Sequence, residues 1–312
     1  MVVPLIERNG QRVWVRRFGG PQGHVGILDG LRVAHVTDLH VGLVTPLEVQ
    51  LEAAERANDA NPDLIVMTGD FVCHSQAYLE QLTEVIGAYE APVIAVLGNH
   101  DYWSGAAEVR RYLLKAGAEI LDNAHTTITL RHQRLQVLGL DDAYTGHADP
   151  DKALKGLRPD LPTLGLSHIA EEADRLWYGG VPLVLSGHTH AGQITLARFH
   201  ELSIGHVVGH RYVHGLYGKR NPRGVDDPRG AVYVGAGIGA SVFPFRVGDR
   251  ARREVTLFDL GKAPGSMEEP LPEQLPLPGR PVTDRQRLLR EMKVARRTLA
   301  RERRRGRDSI IP

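Results

Sequence analysis

Cysteine is almost missing from this chain: Cys73 stands alone among 312 residues. One thiol excludes an internal disulfide framework and fits a reducing compartment. No stretch approaches the ~18 consecutive apolar residues of a membrane-crossing helix. The opening MVVPLIERNGQRVWVRR also lacks the charged-then-apolar order of a signal peptide. Net charge is scarce too, +1 overall, so the whole-chain balance calls for no polyanionic partner. It conceals an asymmetry, because residues from Gly261 onward carry net +6 and those before it −5. A mildly acidic body therefore bears a basic tail. The expected location is the cytoplasm, with peripheral contact to a membrane left open.

What is present is a sizeable apolar fraction, 42%, distributed in short runs that alternate with helix patterns. LRVAHVT (31–37), LIVMT (64–68) and PVIAVL (92–97) are buried strands. Between them, Pro46 to Ala60 and Gln76 to Tyr89 are helical, and Ala106 to Ala116 follows. Thr45 is the expected N-cap of the first helix, with Pro46 at its first position and Glu48 at its third. Arg12 to Phe18 is expected as one strand of a short hairpin. TTITL (126–130) and LQVLGL (135–140) form a second hairpin. A second set of strands follows: TLGLS (163–167), PLVLS (182–186), GQITL (192–196), AVYVGAG (231–237) and REVTLFDL (253–260). Two strand sets with helices outside predict an α/β fold, a four-layer α/β/β/α sandwich.

Three units are expected. Residues 1–262 form the catalytic domain. Residues 263–282, where six prolines fall between 264 and 281, have the composition of a linker. Residues 283–312 form a basic amphipathic helical tail, opened by the capping pair Thr283 and Gln286 and striped by Leu288, Met292, Ala295 and Leu299. A helix of that kind, over 283–307, can dock on its own domain, lie on anionic lipid or grip nucleic acid.

Metal-ligating side chains cluster where these strands stop. Asp38-Leu39-His40 follows LRVAHVT, Gly69-Asp70 follows LIVMT, and Gly98-Asn99-His100-Asp101 follows PVIAVL. His168 follows TLGLS, and Gly187-His188-Thr189-His190 follows PLVLS. Ligands bind at the carboxyl ends of strands in open α/β sheets. Carboxylate, imidazole and amide donors suit manganese, iron or zinc, with manganese the first choice here. Asp38 and His40 lie two apart, so an extended chain would point them in opposite directions, and the strand must break into a turn. Asp70 is the candidate bridge between two cations. Two cations ~3.5–4 Å apart clamp a phosphate and generate a hydroxide between them. His100 is the expected general acid and Asp101 the residue that orients its ring.

The series TDLH, TGD, GNHD, SH and GHTH resembles the calcineurin-like metallophosphoesterases over residues 31 to 260. DGLRVAHVTDLH (29–40), VLSGHTHAGQI (184–194), GLY (215–217) and VGAGIGASVFPFRVGDRARREVTLFDL (234–260) are similar to its bacterial branch of small, often membrane-tethered phosphodiesterases. The resemblance implies that Asp38, His40 and His190 hold one metal, that Asn99, His168 and His188 hold the other, and that Asp70 bridges both. Protein phosphatases of the superfamily carry an Arg shortly after the GD pair and read GNHE. Here Phe71, Val72, Cys73 and His74 follow Asp70, and position 101 is Asp, which argues against phosphoprotein substrates. Related phosphodiesterases have an acidic residue at position 73 and an Arg at position 236, where this chain has Cys and Ala.

The expected activity is hydrolysis of a small or lipid-linked phosphodiester. The alternatives are a phosphomonoesterase, a cyclic-nucleotide phosphodiesterase, and a nuclease aided by the basic tail. His74, Arg211, Tyr212, Tyr217 and Arg246 are further candidates for gripping phosphate. His206, His210 and His214 recur every four residues, but the intervening glycines and valines argue against a helical ligand stripe. Cys73 is expected to pack beside the site.

Overall fold

The computed structural model describes residues 12–73, 75–193, 195, 203, 208–221, 230–240 and 246–279. The basic helix expected at 283–307 lies outside the described residues, as do His74, His206, Ile194 and Leu196. The first half runs β1 (Trp14–Gly19), β2 (Arg32–Val36), α1 (Leu47–Asp59), β3 (Leu64–Thr68), α2 (Leu79–Gly87), β4 (Val93–Val96), α3 (Asn99–Ser104), α4 (Ala106–Lys115) and β5 (Glu119–Ile120). It continues with β6 (Ala124–Leu130), β7 (Gln133–Gly139), α5 (Pro150–Leu154), β8 (Thr163–Leu166), α6 (Ala173–Tyr178), β9 (Leu183–Ser186), β10 (Gly215–Gly218), β11 (Ala231–Val234) and β12 (Glu254–Asp259).

These strands form two six-stranded sheets, ordered β1-β12-β2-β3-β4-β5 and β10-β11-β9-β8-β7-β6. Period-two alternation sorts each strand's side chains into different cores. In β3, Leu64 and Val66 face the second sheet, whereas Ile65 and Met67 face the helices. One apolar cluster thus lies between the sheets, joining Val33, Leu64 and Ile94 to Leu135, Leu164, Leu183 and Tyr233. A second packs Val49, Ala53, Leu82, Val85, Val109 and Leu113 on the outside of the first sheet. A third packs Ala153, Leu176 and Trp177 on the outside of the second. The result is the four-layer α/β/β/α sandwich. Each fully buried Val, Leu, Ile or Phe contributes about 1.5–3 kcal/mol, so the three clusters fix the strand ends firmly.

The register matters for function. β2, β3, β4 and β5 run parallel, as do β7, β8, β9 and β11. The carboxyl ends of β2, β3, β4, β8 and β9 therefore open on one side of the molecule, and the five motifs begin there.

Three local expectations change. Arg12 to Phe18 does not enter a hairpin: β1 is an edge strand paired in parallel with β12, Trp14 opposite Glu254. Its partner lies 240 residues away, a pairing that no local pattern announces. Thr45 does not cap α1; Pro46 takes that position without a side-chain bond, and α1 starts at Leu47. The Thr45 hydroxyl instead accepts the Ala240 amide at 3.0 Å. The proline-rich stretch runs along the second sheet, where Gln274 exchanges backbone bonds with Leu216 and Gly218, and Glu269 pairs with buried Arg220. No helix among the described residues is long and apolar enough to cross a membrane.

Candidate metal centre

The turns after the strands carry an unusual backbone. Asp38, His40, Asp70, His188 and His190 all have positive φ, at 52°, 44°, 55°, 75° and 51°. The left-handed region is uncommon for residues with a Cβ and costs about 1–3 kcal/mol at each such position. Here it turns both Asp38 and His40 inward, as their two-residue spacing requires. Backbone bonds hold the first two turns together: Asp38 N donates to Gly69 O, His40 N to Asp70 O and Val41 N to Phe71 O, at 2.8–3.1 Å. Gln50, buried on α1, donates to Leu39 O from behind. Glycine is needed where a second turn presses close. At Gly98 a methyl group would overlap Asp70 Oδ1, and at Gly187 it would overlap Asp38 Oδ2.

The polar atoms converge in two groups that share Asp70. In the first, His40 Nε2 lies 3.0 Å from His190 Nε2, and Asp38 Oδ1 lies 3.5 Å from His190 Nε2 and 3.9 Å from His40 Nε2. In the second, His168 Nε2 lies 3.1 Å from Asn99 Oδ1, 3.2 Å from His188 Nδ1 and 3.3 Å from Asp70 Oδ2. Asp70 Oδ2 is also 3.6 Å from His40 Nε2, which ties the groups together. Ligands about 2.1 Å from a cation stand roughly 3.0–3.4 Å apart in octahedral or tetrahedral arrangements. The observed spacings fall mostly on that scale, so the donor set fits a pair of cations in both chemistry and separation. All seven side chains are buried apart from a partly exposed His188.

The electrostatics of the protein alone show how much charge this assembly lacks. Burial pushes the Asp38 carboxyl up to about 7 and the His40 imidazole down to about 3. Burial, then the neighbouring charge of His168 or His40, holds His188 and His190 well below the usual histidine range. His168 alone goes the other way. Burial opposes its charge, but Asp70, Asp38 and Asp142 together outweigh burial and raise it to about 10. Asp70 stays ionised against burial because His168 faces it. A proton on His168 thus supplies positive charge that a cation would otherwise bring.

Around this centre a further ring of polar groups fixes the ligands. Asp101 does not serve as the support expected behind the His100 ring. Its oxygens accept four backbone amides, from Gly98, Asp70, Phe71 and Val72, at 2.8–3.2 Å. A carboxylate has about four lone-pair sites, so none remains for the imidazole. Asp101 instead clamps the Asp70 turn to the start of α3. His168 Nδ1 bonds Thr68 O at 2.6 Å, which turns Nε2 toward the cluster. Thr37 donates to Asp38, and His35 bonds Thr68. His100 places its amide on Asp70 Oδ1 at 2.9 Å and its Nε2 3.9 Å from Asp70 Oδ2, at the open side.

The remaining candidates divide. Arg246 reaches the centre, with its guanidinium 3.3 Å from His190 Nδ1 and bonded to the Ala236 and Gly239 carbonyls. Arg211 and Tyr212 do not, since both bind Asp174, and Tyr217 accepts the Val213 amide within the second sheet. His214 is buried against Glu254, and His210 pairs with Glu171 while its ring lies 5.3 Å from that of His188. Cys73 is half-buried, and its Sγ lies within 4.8 Å of a ring nitrogen of His40 and of His100. Sequence reasoning missed Glu254, which gathers Arg16, His214, Tyr233 and the Ala236 amide behind the site. It also missed Trp103 and Tyr144, whose rings lie 4.8 Å from His100 and 5.3 Å from His188. The aromatic pair Tyr102-Trp103 directly after GNHD was the available signal for the former; Tyr144 carried none.

Comparison with known proteins agrees with this geometry. Residues 31–192 match the family model of the calcineurin-like phosphoesterases. The chain is similar to the metallophosphoesterase YkuE of Bacillus subtilis, 29% identical over 238 residues that cover 74% of this chain and 79% of that protein. It is similar to the phosphodiesterase YaeI of Escherichia coli, 28% identical over 73% of this chain and 82% of that one. It is also similar to the UDP-2,3-diacylglucosamine pyrophosphatase LpxG of Chlamydia trachomatis, 28% identical over 54% of this chain and 66% of that one.

Proposed function

The chain belongs to the calcineurin-like phosphoesterases, and from that premise we propose that it hydrolyses a phosphodiester at a site where Asp70, with the ligand group on either side of it, would hold two cations. The single observation that carries this reading is the pair of ligand groups meeting at one carboxylate. Asp38, His40 and His190 stand on one side of Asp70, and Asn99, His168 and His188 on the other. Cations held by these residues would supply Lewis-acid chemistry for phosphate esters at neutral pH. Manganese is the first candidate on the donor set, with iron or zinc as alternatives.

The protein's own groups supply the rest. Asp70 holds its two oxygens apart in function: Oδ1 accepts the His100 amide while Oδ2 faces His40 and His168. Asp101 keeps that carboxylate in place through the backbone, so the bridge does not depend on a flexible side chain. The His100 ring, packed between His40 and Trp103, borders the open side. There it can donate a proton to the departing oxygen, a role worth about 10²–10⁴ in rate. Preference for diesters is supported by the lack of an arginine just after Asp70 and by the likeness to YaeI, a named phosphodiesterase. The substrate in this reading is small or lipid-linked.

The test is a paired assay of the purified protein on bis-p-nitrophenyl phosphate and p-nitrophenyl phosphate, under manganese, iron or zinc and after chelation. The proposal expects metal-dependent turnover with the diester preferred. Faster turnover of the monoester would reverse the preference, and unchanged rates after chelation would end the metal mechanism. A cut removing the basic tail, residues 283–312, that abolished nucleic-acid cleavage but spared bis-p-nitrophenyl phosphate would favour a nuclease instead.

A further inference from the structure

Two half-exposed aromatic side chains stand at the mouth of the metal centre. Trp103 is 49% exposed and Tyr144 is 48% exposed, and neither belongs to a core cluster. Their rings meet edge to face, with centroids 5.9 Å apart and planes at 79°. Trp103 lies against His100, and Tyr144 against His188. The pair thus forms a corner that links the open side of Asp70 to a ligand of the second cation position. Leaving two large apolar faces in water forgoes the burial that usually stabilises such residues.

The corner is also held rigidly. Trp103 sits on α3, whose first turn Asp101 ties to the Asp70 loop. Tyr144 sits in the loop after β7, and fully buried Asp142 gathers that loop by accepting the amides of Tyr144 and Thr145 and the Thr145 hydroxyl. Tyr102, beside Trp103, bolts the two elements together. Its ring stacks on His147 at 4.0 Å, and its hydroxyl donates to Asp141. The two rings are thus carried on a backbone that is already positioned before a ligand arrives, which lowers the ordering cost of binding.

We infer that Trp103 and Tyr144 form a subsite for a planar aromatic ring carried on one arm of the phosphate ester. This deepens the phosphoesterase reading and rests on it. A flat ring fits the corner by stacking on one side chain and meeting the edge of the other. A methyl group is too small to touch both, and a flexible acyl chain gains nothing from the perpendicular arrangement. Either an aryl group or a nucleobase has the required face, and stacking on an aromatic side chain contributes about 1–3 kcal/mol. That corresponds to roughly 5- to 150-fold in affinity.

The experiment is calorimetric titration of the full-length, manganese-loaded protein with methyl, phenyl and octyl phosphate and thymidine 5′-monophosphate. Turnover of bis-p-nitrophenyl phosphate is recorded alongside. Phenyl phosphate and the nucleotide should bind at least fivefold more tightly than methyl phosphate. Trp103→Ala and Tyr144→Ala should erase that margin while changing methyl phosphate binding by less than about twofold. Trp103→Phe and Tyr144→Phe should keep most of it. Thermal melts show whether each variant folds, and Trp103→Leu and Tyr144→Leu, which keep apolar bulk but remove the aromatic face and should also erase the margin, carry the test if an alanine variant does not. Phenyl phosphate tighter than the nucleotide would assign the corner to aryl groups, and the reverse to nucleobases; both support the subsite. Equal binding of methyl and phenyl phosphate, tightest binding of octyl phosphate, or uniform weakening of all ligands in the variants would overturn it. If bis-p-nitrophenyl phosphate is still hydrolysed in those cases, the aromatic subsite alone fails. If no phosphate ester is bound or cleaved, the phosphoesterase reading fails first.

Discussion

Replacing Asp70 with asparagine removes one negative charge and almost no volume, at the one carboxylate both ligand groups share. The substituted side chain keeps an oxygen for the His100 amide, so the turn should persist. What changes is the affinity for cations. A unit charge pair 4 Å apart is worth about 4 kcal/mol at an effective dielectric of ~20, and a divalent ion in direct contact with a carboxylate exceeds that. A hundredfold loss of affinity is therefore a conservative expectation. Ligand-linked stabilisation follows RT ln(1 + [L]/Kd), so a hundredfold weaker site loses about 2.7 kcal/mol at saturating metal. For a chain of this size that is about 4 °C in melting temperature. The assay is a thermal melt of wild-type and Asp70→Asn protein, each with a chelator and with added manganese. Comparing each protein with itself matters, because the substitution also removes the Asp70–His168 pair in the metal-free state. The manganese-induced rise should shrink by about 4 °C or more in the variant, with activity lost. An undiminished rise together with wild-type turnover would refute the bridging role.

Other substitutions separate the remaining parts. His100→Gln should leave metal content unchanged and lower kcat on bis-p-nitrophenyl phosphate by about 10²–10⁴; full activity would remove His100 from proton transfer. Gly98→Ala should displace the Asp70 carboxylate, because the added methyl overlaps Oδ1; metal uptake measured by elemental analysis should fall, and normal uptake would contradict the close fit. His35 is buried, bonded to Thr68 and pushed by burial down to about 3. Its folded pKa lies below the unfolded value, so its contribution is fully present above pH ~6.5 and is lost as pH falls from there toward about 3. The unfolded chain then binds the extra proton, and at pH 5 this costs about 2 kcal/mol. Urea unfolding under chelator should show that much less acid sensitivity in His35→Leu than in the wild type, and equal sensitivity would show that His35 is not held neutral.

Much of this was legible from residue order, for a physical reason. Runs such as LIVMT and PLVLS are apolar on both faces because helices cover one side of each sheet and the other sheet covers the other. Their boundaries then place Asp38, Asp70, Asn99, His168 and His188 at strand ends without further information. The two-residue spacing of Asp38 and His40 demanded a turn, and positive φ at both supplies it. What stayed hidden depends on contacts between distant segments. β1 pairs with a strand some 240 residues later. The Thr45 hydroxyl, equipped to cap α1, meets Ala240 instead. Asp101 looked like a partner for its neighbour His100, yet its lone pairs are filled by backbone amides, three of them from the Asp70 loop. Glu254 reads as an ordinary strand residue, and only the packing of the two sheets surrounds it with Arg16, His214 and Tyr233.

Anomalous diffraction from crystals equilibrated with manganese tests the central claim most directly. Two peaks are expected per chain, one among Asp38, His40 and His190 and one among Asn99, His168 and His188, with the Asp70 carboxylate between them. A single peak away from Asp70, or none at saturating manganese, would contradict it.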